Sequence, residues 1–246
     1  MEFYEKLADV YDKMTRFQER LPGEKPIMQK WVERFHIRSA LDVACGTGLH
    51  TVILAQLGVR TMGCDSSAAM VKQARDHARE FGVTAEFIVA PMQTLPDSIP
   101  GPFDAIFCLG NSLPHLLTRQ DLAITLSNFY QLLNKDGIVI IQNLNYDRII
   151  GHGERVVGAN RAGDREFIRF YDFEAPLVKF NVLIIDWAGS QAHYSWETTE
   201  LYPYQRQEIE QAMRQARFTA MAFYGDMHQG QFDADGSINL VVVGKK

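Results

Sequence analysis

LDVACGTGLH, which spans Leu41–His50, is the stretch that decides the fold of this chain. An apolar run at residues 39–44 stops at a Gly-x-Gly turn, and residues 49–57 follow with helical spacing. Glycine tolerates positive φ and carries no side chain, so backbone N–H groups in such a turn can approach a ligand closely. The helix N-terminus after the turn favours an anionic group. The stretch therefore predicts a strand, a ligand-binding turn and a helix.

The chain on both sides of this turn continues the alternation of strand and helix. Apolar runs predict further strands at residues 60–64, 84–90, 103–109 and 137–143. Helical spacing predicts helices over residues 67–81 and 119–133, the second stopped by residues 134–137, and a helical segment over residues 1–36 that is broken around Leu21–Gly23. Strands that alternate with helices form right-handed βαβ units. We therefore predict an α/β fold with a parallel sheet covered by helices on both faces.

A different pattern occupies residues 146–204, which contain 11 of the 27 aromatic residues. Apolar and polar residues alternate there in three runs, at 166–173, 178–187 and 193–202. Such alternation is typical of an antiparallel sheet with one wetter face. A helix is predicted at 205–216, with strands at 219–224 and 238–243. We predict an α/β domain formed by residues 1–145 and 205–246, with 1–36 as a helical cover and 146–204 as an inserted antiparallel β lid over the substrate.

Composition excludes several classes of protein. The 246 residues are 46% hydrophobic and 22% charged, with a net charge of −5, so neither disorder nor a nucleic-acid partner is expected. No apolar run is long enough to cross a membrane, and Met1–Lys6 lacks the apolar core of a signal peptide. Three cysteines without a C-x-x-C pair are typical of reduced thiols in a cytoplasmic protein. No metal is expected, because His, Asp and Glu do not cluster at ligand spacing.

Asp65 follows Gly46 by 19 residues, at the end of the second predicted strand. A carboxylate there can accept hydrogen bonds from both hydroxyls of a ribose. The dinucleotide fingerprint G-x-G-x-x-G has a similar arrangement, but its third glycine would fall at Thr51, where threonine fits poorly. An NAD-binding dehydrogenase is thus an alternative that the sequence disfavours.

The combination of residues 42–48, DVACGTG, with Asp65 resembles the class I S-adenosylmethionine-dependent methyltransferases. The resemblance implies a Rossmann-like, doubly wound, seven-stranded and mostly parallel sheet with one antiparallel strand near the C-terminus. It implies that the glycine turn holds the methionyl part of S-adenosylmethionine and that Asp65 holds the ribose, with S-adenosylhomocysteine as product. The cofactor residues that we predict on this basis are Tyr11, Ala44, Gly46, Gly48, Asp65, Ser66, Met70, Met92 and Leu109.

Residues 108–115, CLGNSLPH, resemble a stretch of the glycine N-methyltransferases, and the amino-sugar N-methyltransferases place a histidine at the same point. The segment leaves a strand at the edge of the sheet where ligands bind. Asn111 and Ser112 offer an amide and a hydroxyl, and His115 a titratable base. We expect Asn111 to orient the methyl acceptor, and His115 either to accept its proton or to hydrogen-bond to it.

One position departs from the glycine enzymes. They carry an arginine that grips the substrate carboxylate immediately before an Asn-Tyr-Asp stretch, and this chain has Leu144 before Asn145–Asp147. Leucine cannot pair with a carboxylate, so glycine as substrate is in doubt. Arg148 and Arg169 are the candidate replacements.

Aromatic and basic residues elsewhere supply the remaining candidates. Aromatic faces attract a sulfonium, and Tyr4 and Tyr11 lie in the segment that covers the cofactor in relatives. Arg20 and Lys25 are candidates for the cofactor carboxylate. From the aromatic lid, the residues predicted to line the substrate pocket are Tyr171, Trp196 and Tyr204.

These features predict an enzyme that methylates a small molecule at an amine nitrogen. Methylation at oxygen and a non-catalytic S-adenosylmethionine-binding module are the alternatives. The exposed edges of an antiparallel sheet would allow a homodimer.

Overall fold

The computed structural model describes residues 2–97 and 99–246 of the chain. Its strands are β1 (Ser39–Val43), β2 (Arg60–Asp65), β3 (Glu86–Val89), β4 (Phe103–Cys108), β5 (Leu133–Leu144), β6 (Val156–Ala162), β7 (Arg165–Glu174), β8 (Leu177–Asp186), β9 (His193–Leu201), β10 (Thr219–Tyr224) and β11 (Asn239–Lys245). Its α-helices are α1 (Glu2–Thr15), α2 (Phe17–Phe35), α3 (Leu49–Gln56), α4 (Ala68–Glu80), α5 (Arg119–Leu132), α6 (Tyr146–His152) and α7 (Arg206–Gln215). Two 3₁₀ turns, Met92–Asp97 and Leu113–His115, follow β3 and β4.

Seven strands form the main sheet, in the order β10-β11-β5-β4-β1-β2-β3. β1 pairs in parallel with β2 and β4, and β5 pairs in parallel with β4, whereas β11 runs antiparallel between β5 and β10. The predicted fold class, a mostly parallel sheet with one antiparallel strand near the C-terminus, is confirmed. This order places the carboxyl ends of β1, β2, β4 and β5 at one edge, where ligands bind in such sheets.

Hydrophobic cores lie on both faces of the main sheet. On one face α5 and α7 bury Phe129 and Met213, and on the other α2 and α3 bury Trp31 and Ile53. Each of these side chains is fully buried, which stabilises the fold by roughly 2 kcal/mol per side chain. The continuous apolar strands predicted for a doubly covered sheet are therefore explained by burial from both sides.

The N-terminal helices break at a different place from the predicted one. Arg16 adopts a left-handed conformation (φ 60°) between α1 and α2, whereas Pro22 and Gly23 lie inside α2. The prediction of a break around residues 21–23 was wrong. Proline removes one helical hydrogen bond, and burial of Phe17, Met28 and Trp31 by α2 offsets that loss.

The start of β5 also differs from the predicted one. The strand begins at Leu133, directly after α5, although residues 134–137 were predicted to be an irregular stop. Leu133 pairs with Phe103, and the Asn134 side chain donates to the Asp104 carboxylate at 2.8 Å. These contacts with β4 are long-range and override the turn propensity of the Asn-Lys-Asp-Gly sequence.

A separate four-stranded antiparallel sheet has the order β6-β7-β8-β9. Its last three strands confirm the alternating runs of the sequence, with Phe167, Tyr171 and Val182 buried. Helix α6 and strand β6 were not predicted. Asn145 caps α6 by accepting from the Arg148 N–H, and the sequence of β6, VVGANRA, shows little alternation.

No helix of residues 2–97 and 99–246 is both long enough and apolar enough to span a membrane.

Candidate functional site

Three adjoining cavities lie at the carboxyl edge of the main sheet, and each is lined by Tyr4 and His115. The central cavity, of about 70 Å³, lies against the glycine turn and Asp65. The rim cavity, of about 300 Å³, extends along the residues after β3. The inner chamber, of about 400 Å³, lies between α1 and the four-stranded sheet. Together they make one site between the two sheets, covered by α1.

The glycine turn contributes to the central cavity and to packing through different residues. Ala44 and Gly46 both have φ of +55° and line the cavity. A Cβ on Gly46 would lie 3.6 Å from the Tyr11 ring, whereas a Cβ on Gly48 (φ +87°) would lie 2.9 Å from Ala74 Cβ on α4. Gly46 therefore faces the cavity, and Gly48 lets the turn approach α4.

Asp65 is held rigidly at the end of β2. One carboxylate oxygen accepts from the Gly46 N–H and the other from the Ser67 N–H, each at 2.9 Å. The residue is only 9% exposed, and burial raises the pKa of its carboxyl above the usual value. Each oxygen keeps a second lone pair, so the carboxylate can still accept two hydroxyl groups from a ligand in the cavity.

The roof of the central cavity is formed by helix α1. Tyr4 and Tyr11 reach over the glycine turn, while Met70 and Met92 supply apolar walls. Asp12 links α1 to the turn, because it accepts from the Thr47 hydroxyl at 2.6 Å and pairs with His77 at 3.1 Å. Helix α1 is thus anchored to the glycine turn and to α4.

His115 lies where all three cavities meet. Its Nε2 is 2.7 Å from the Tyr4 hydroxyl, so the cover and the segment after β4 are joined at this point. Burial lowers the pKa of the His115 imidazole to about 4. The side chain is therefore neutral at physiological pH, and the Tyr4 hydroxyl can either donate to Nε2 or accept from it.

Asn111 fixes the segment after β4 to the end of β5. Its side-chain oxygen accepts from the Leu144 N–H at 3.0 Å, and its Nδ2 donates to the Tyr146 hydroxyl at 3.0 Å. The Tyr146 and Tyr171 hydroxyls are 3.2 Å apart, so the chain of hydrogen bonds reaches the four-stranded sheet. Asn111 and Tyr171 both line the inner chamber.

The four basic residues that the sequence offers as anion-binding candidates lie in different parts of the structure. Arg20 and Arg169 line the inner chamber, and so does Leu144. Arg148 instead pairs with Glu154 at 2.8 Å and lines none of the three cavities, and Lys25 lines none of them either.

Seven of the nine predicted cofactor residues line the central cavity, namely Tyr11, Ala44, Gly46, Asp65, Ser66, Met70 and Met92. Ser112 lines it as well, and its hydroxyl donates to the Leu109 carbonyl at 2.8 Å.

Four predicted site residues lie outside these cavities. Gly48 packs against α4, and Leu109 lines a separate cavity near Arg20 and His50. Trp196 lies on the outer face of the four-stranded sheet, 53% exposed, and packs edge-on against Phe170. Tyr204 is fully buried in the core, and its hydroxyl donates to the Leu116 and Thr118 carbonyls. Sequence alternation could not show which face of the small sheet turns inward.

Sequence reasoning missed several residues that line the cavities: Phe3, Gln93, Leu117, Phe180, Thr199 and Glu200. Phe180 and Thr199 are paired neighbours on β8 and β9 and face α1. The sequence signal for Phe180 was its place in an alternating run, but the identity of the inner face depends on tertiary packing.

Among the residues that the structure describes, no group of three or more His, Cys, Asp or Glu side chains could hold a metal ion. Cys45, Cys64 and Cys108 are buried, and burial raises the pKa of each thiol.

Comparisons with known proteins show what this chain resembles. Residues 40–137 match the family described as a methyltransferase domain. The chain is 27% identical, over its full length and 89% of the relative, to a glycine/sarcosine N-methyltransferase of Halorhodospira halochloris. Its fold is shared with an S-adenosylmethionine-dependent methyltransferase of Clostridium acetobutylicum (TM-score 0.82, 20% identity, 98% of both chains). It is also shared with an amino pentose methyltransferase of Micromonospora echinaspora solved with S-adenosylmethionine bound (TM-score 0.74, 17% identity, 96% of this chain and 97% of that one).

Proposed function

The chain is an S-adenosylmethionine-dependent methyltransferase, and we propose that it methylates the amine nitrogen of a small molecule bound in the inner chamber. One observation carries the choice of nitrogen over oxygen. No carboxylate is among the described residues that line this chamber, and its histidine, His115, has a pKa of about 4. The chamber thus offers only a weak base.

The central cavity fits S-adenosylmethionine by the chemistry of its walls. We propose that the Asp65 carboxylate accepts the ribose hydroxyls, that Gly46 allows close approach of the methionyl part, and that Met70 and Met92 cover the adenine. The tyrosine faces of α1 would lie near the sulfonium, which aromatic rings attract. When bound, the cofactor supplies a methyl group on a sulfonium, whose leaving group departs neutral.

The residues of the chain then have modest chemical tasks. An amine attacks as the free base, which forms before the transfer, so no strong base is needed during the step. An alcohol or a phenol would need a base to take its proton in the transition state. Tyr4 and His115 instead position the acceptor and close the site, which contributes proximity and excludes water.

The similarity to a glycine/sarcosine N-methyltransferase supports an amine acceptor, although that substrate is known only for the relative.

We further propose that the four-stranded sheet serves as a substrate lid, with the domain limits 1–145, 146–204 and 205–246. A cytoplasmic location and a homodimer also stay predictions.

A methyl-transfer screen tests the function directly. Amines, amino acids, sugars with an amino group, alcohols and phenols would be incubated with S-adenosylmethionine, and S-adenosylhomocysteine release would be measured. We expect turnover with amines and none with alcohols or phenols. Turnover confined to phenols would replace the proposal with O-methylation.

His115→Gln tests whether this histidine is a positioning group. We expect kcat to fall by about tenfold or less, because one neutral hydrogen bond contributes roughly 1 kcal/mol. The pH profile of kcat between 6 and 9 should be the same in the variant, because a group with a pKa of about 4 does not titrate there.

The control for His115→Gln is Tyr4→Phe, which removes the other partner of the same hydrogen bond. We expect it to match the His115→Gln loss. A loss of about 100-fold or more in His115→Gln alone, with a displaced pH profile, would identify the histidine as a general base instead.

A further inference from the structure

Tyr146 is fully buried behind the inner chamber, and it is not among the described residues that line the three cavities. It is the first residue of α6, two positions after the end of β5. Its hydroxyl lies 3.0 Å from Asn111 Nδ2 and 3.2 Å from the Tyr171 hydroxyl. Both of these partners line the chamber, Asn111 from the segment after β4 and Tyr171 from β7 of the four-stranded sheet. Tyr146 therefore joins two walls of the chamber from behind.

The Asn111 amide is fixed from its other end. Its oxygen accepts from the Leu144 N–H at 3.0 Å, and a backbone N–H can only donate. The amide nitrogen therefore faces Tyr146 and donates to the hydroxyl oxygen. The Asn111 backbone is held in the left-handed region (φ 65°), with its N–H donating to the Gln142 carbonyl at 3.0 Å. Asn111 thus keeps its place through contacts that do not involve Tyr146.

The place of the single Tyr146 hydroxyl proton follows from these contacts. Burial raises the pKa of the Tyr146 and Tyr171 hydroxyls, so each keeps its proton at physiological pH. Tyr146 is fully buried, and a buried O–H without an acceptor is costly. The Tyr171 oxygen supplies that acceptor. Tyr146 thus donates to Tyr171, and the Tyr171 proton is left available to a molecule in the chamber.

We propose that Tyr146 is a positioning residue for methyl transfer, whose hydroxyl directs the O–H of Tyr171 into the inner chamber, where it donates to the methyl acceptor. This inference rests on the proposed function, because it concerns the same chamber. Tyr146 itself does not touch the methyl acceptor. Because Leu144 holds Asn111 whichever residue occupies position 146, the effect of Tyr146 on the chamber passes through Tyr171.

Packing holds the two tyrosine rings in place, so the hydroxyl groups can be tested alone. Tyr146 and Tyr171 share one hydrophobic cluster with Val178 and Leu201, and their ring centroids are 6.1 Å apart. Phenylalanine keeps the shape of either ring within this cluster. In Tyr146→Phe the Tyr171 ring therefore stays where it is, and what changes is the direction of its O–H, which can then rotate about the C–O bond.

The test is a double-mutant cycle on the two hydroxyls, with Tyr146→Phe, Tyr171→Phe and the double variant. Glycine, sarcosine, benzylamine and glucosamine, with any further amine that the wild type methylates in the screen, serve as methyl acceptors at saturating S-adenosylmethionine. The control is Tyr202→Phe, because the Tyr202 hydroxyl donates to Glu208 at 3.0 Å and Tyr202 is not among the described residues lining the cavities. Calorimetry with S-adenosylhomocysteine and thermal unfolding are measured for each variant.

We expect Tyr146→Phe and Tyr171→Phe each to lower kcat/KM by about fivefold to tenfold, mainly by raising KM for the amine, as for the loss of one neutral hydrogen bond. The double variant should lose no more than Tyr171→Phe alone, because Tyr146 acts through the Tyr171 hydroxyl. Tyr202→Phe should keep the wild-type kinetics. The dissociation constant of S-adenosylhomocysteine should be the same in all variants.

Three outcomes would overturn the positioning role and leave N-methylation intact. Losses that multiply in the double variant would show that the two hydroxyls act independently. A kcat/KM within twofold of the wild type in Tyr146→Phe would show that its hydroxyl has no part in the reaction. A loss in Tyr146→Phe that comes with weaker S-adenosylhomocysteine binding and a lower unfolding temperature would assign the hydroxyl to the fold. No methylation of any amine by the wild type refutes the proposed function itself.

Discussion

Asp65→Asn is expected to weaken S-adenosylmethionine binding by about 100-fold or more. The carboxylate is 9% exposed at the end of β2 and lines the central cavity. A hydrogen bond to a charged acceptor contributes about 1.5–3 kcal/mol, and two ribose hydroxyls would donate to this one, so about 3 kcal/mol is the lower limit. That free energy corresponds to roughly two orders of magnitude in the dissociation constant.

Calorimetry with S-adenosylhomocysteine and thermal shifts measure this effect. At a ligand concentration of 100 times the wild-type dissociation constant, the ligand stabilises the wild type by about 2.7 kcal/mol. For a variant that binds 100-fold more weakly, the same concentration adds about 0.4 kcal/mol.

Asp104→Asn is the matched control for Asp65→Asn. Asp104 also accepts backbone N–H groups, from Arg38 at 3.1 Å and Ser39 at 2.9 Å, but it lies at the start of β4, at the opposite edge of the sheet. We expect Asp104→Asn to change stability without changing cofactor affinity. If Asp65→Asn binds within threefold of the wild type, Asp65 is not the ribose ligand.

Gly48→Ala is expected to destabilise the fold by about 3 kcal/mol. Its φ of +87° costs a side chain roughly 1–2 kcal/mol, and its Cβ would lie 2.9 Å from Ala74 Cβ and 3.2 Å from Ala74 Cα. Because one of these contacts is backbone, the turn and α4 must separate, which adds about 1–3 kcal/mol. In a chain of this size the unfolding temperature should fall by about 6–12 °C.

Gly58→Ala separates backbone strain from collision. Gly58 has φ +81°, but among the described residues no atom beyond its chain neighbours lies within 4 Å of an added Cβ, so this variant should show the strain alone. Gly46→Ala, with φ +55° and its nearest contact at 3.6 Å, should lose similar stability and bind the cofactor less well, because its Cβ enters the central cavity. If Gly48→Ala is no less stable than Gly58→Ala, the close approach to α4 is not a structural requirement.

The central cavity, where we propose that the cofactor binds, follows from the sequence because its residues are close together along the chain. Ala44 and Gly46 belong to one βα turn, and Asp65 ends the next parallel strand, so topology alone brings them to one edge. Because strands alternate with helices along the chain, the connections between neighbouring strands are expected to be right-handed and the strands parallel. Local sequence rules therefore predict both the main sheet and the central cavity.

The inner chamber, where we propose that the acceptor binds, depends on contacts between distant residues, and the sequence did not determine it. Which face of the four-stranded sheet turns inward is set by packing against α1, and this placed Tyr171 in the chamber but Trp196 on the outside. The choice between Arg148 and Arg169 has the same origin. Arg148 finds Glu154 six residues away, whereas Arg169 faces the chamber and an unrelated helix.

The sequence by itself determined the α/β fold, the glycine turn, its acidic partner Asp65 and the class of cofactor. Only the tertiary structure showed that His115 is buried beside the Tyr4 hydroxyl and that Arg169 lies in the wall of the inner chamber. The physical reason is that a glycine turn acts through its own backbone, whereas the charge state of a side chain depends on burial and on neighbours that the fold brings from elsewhere in the chain.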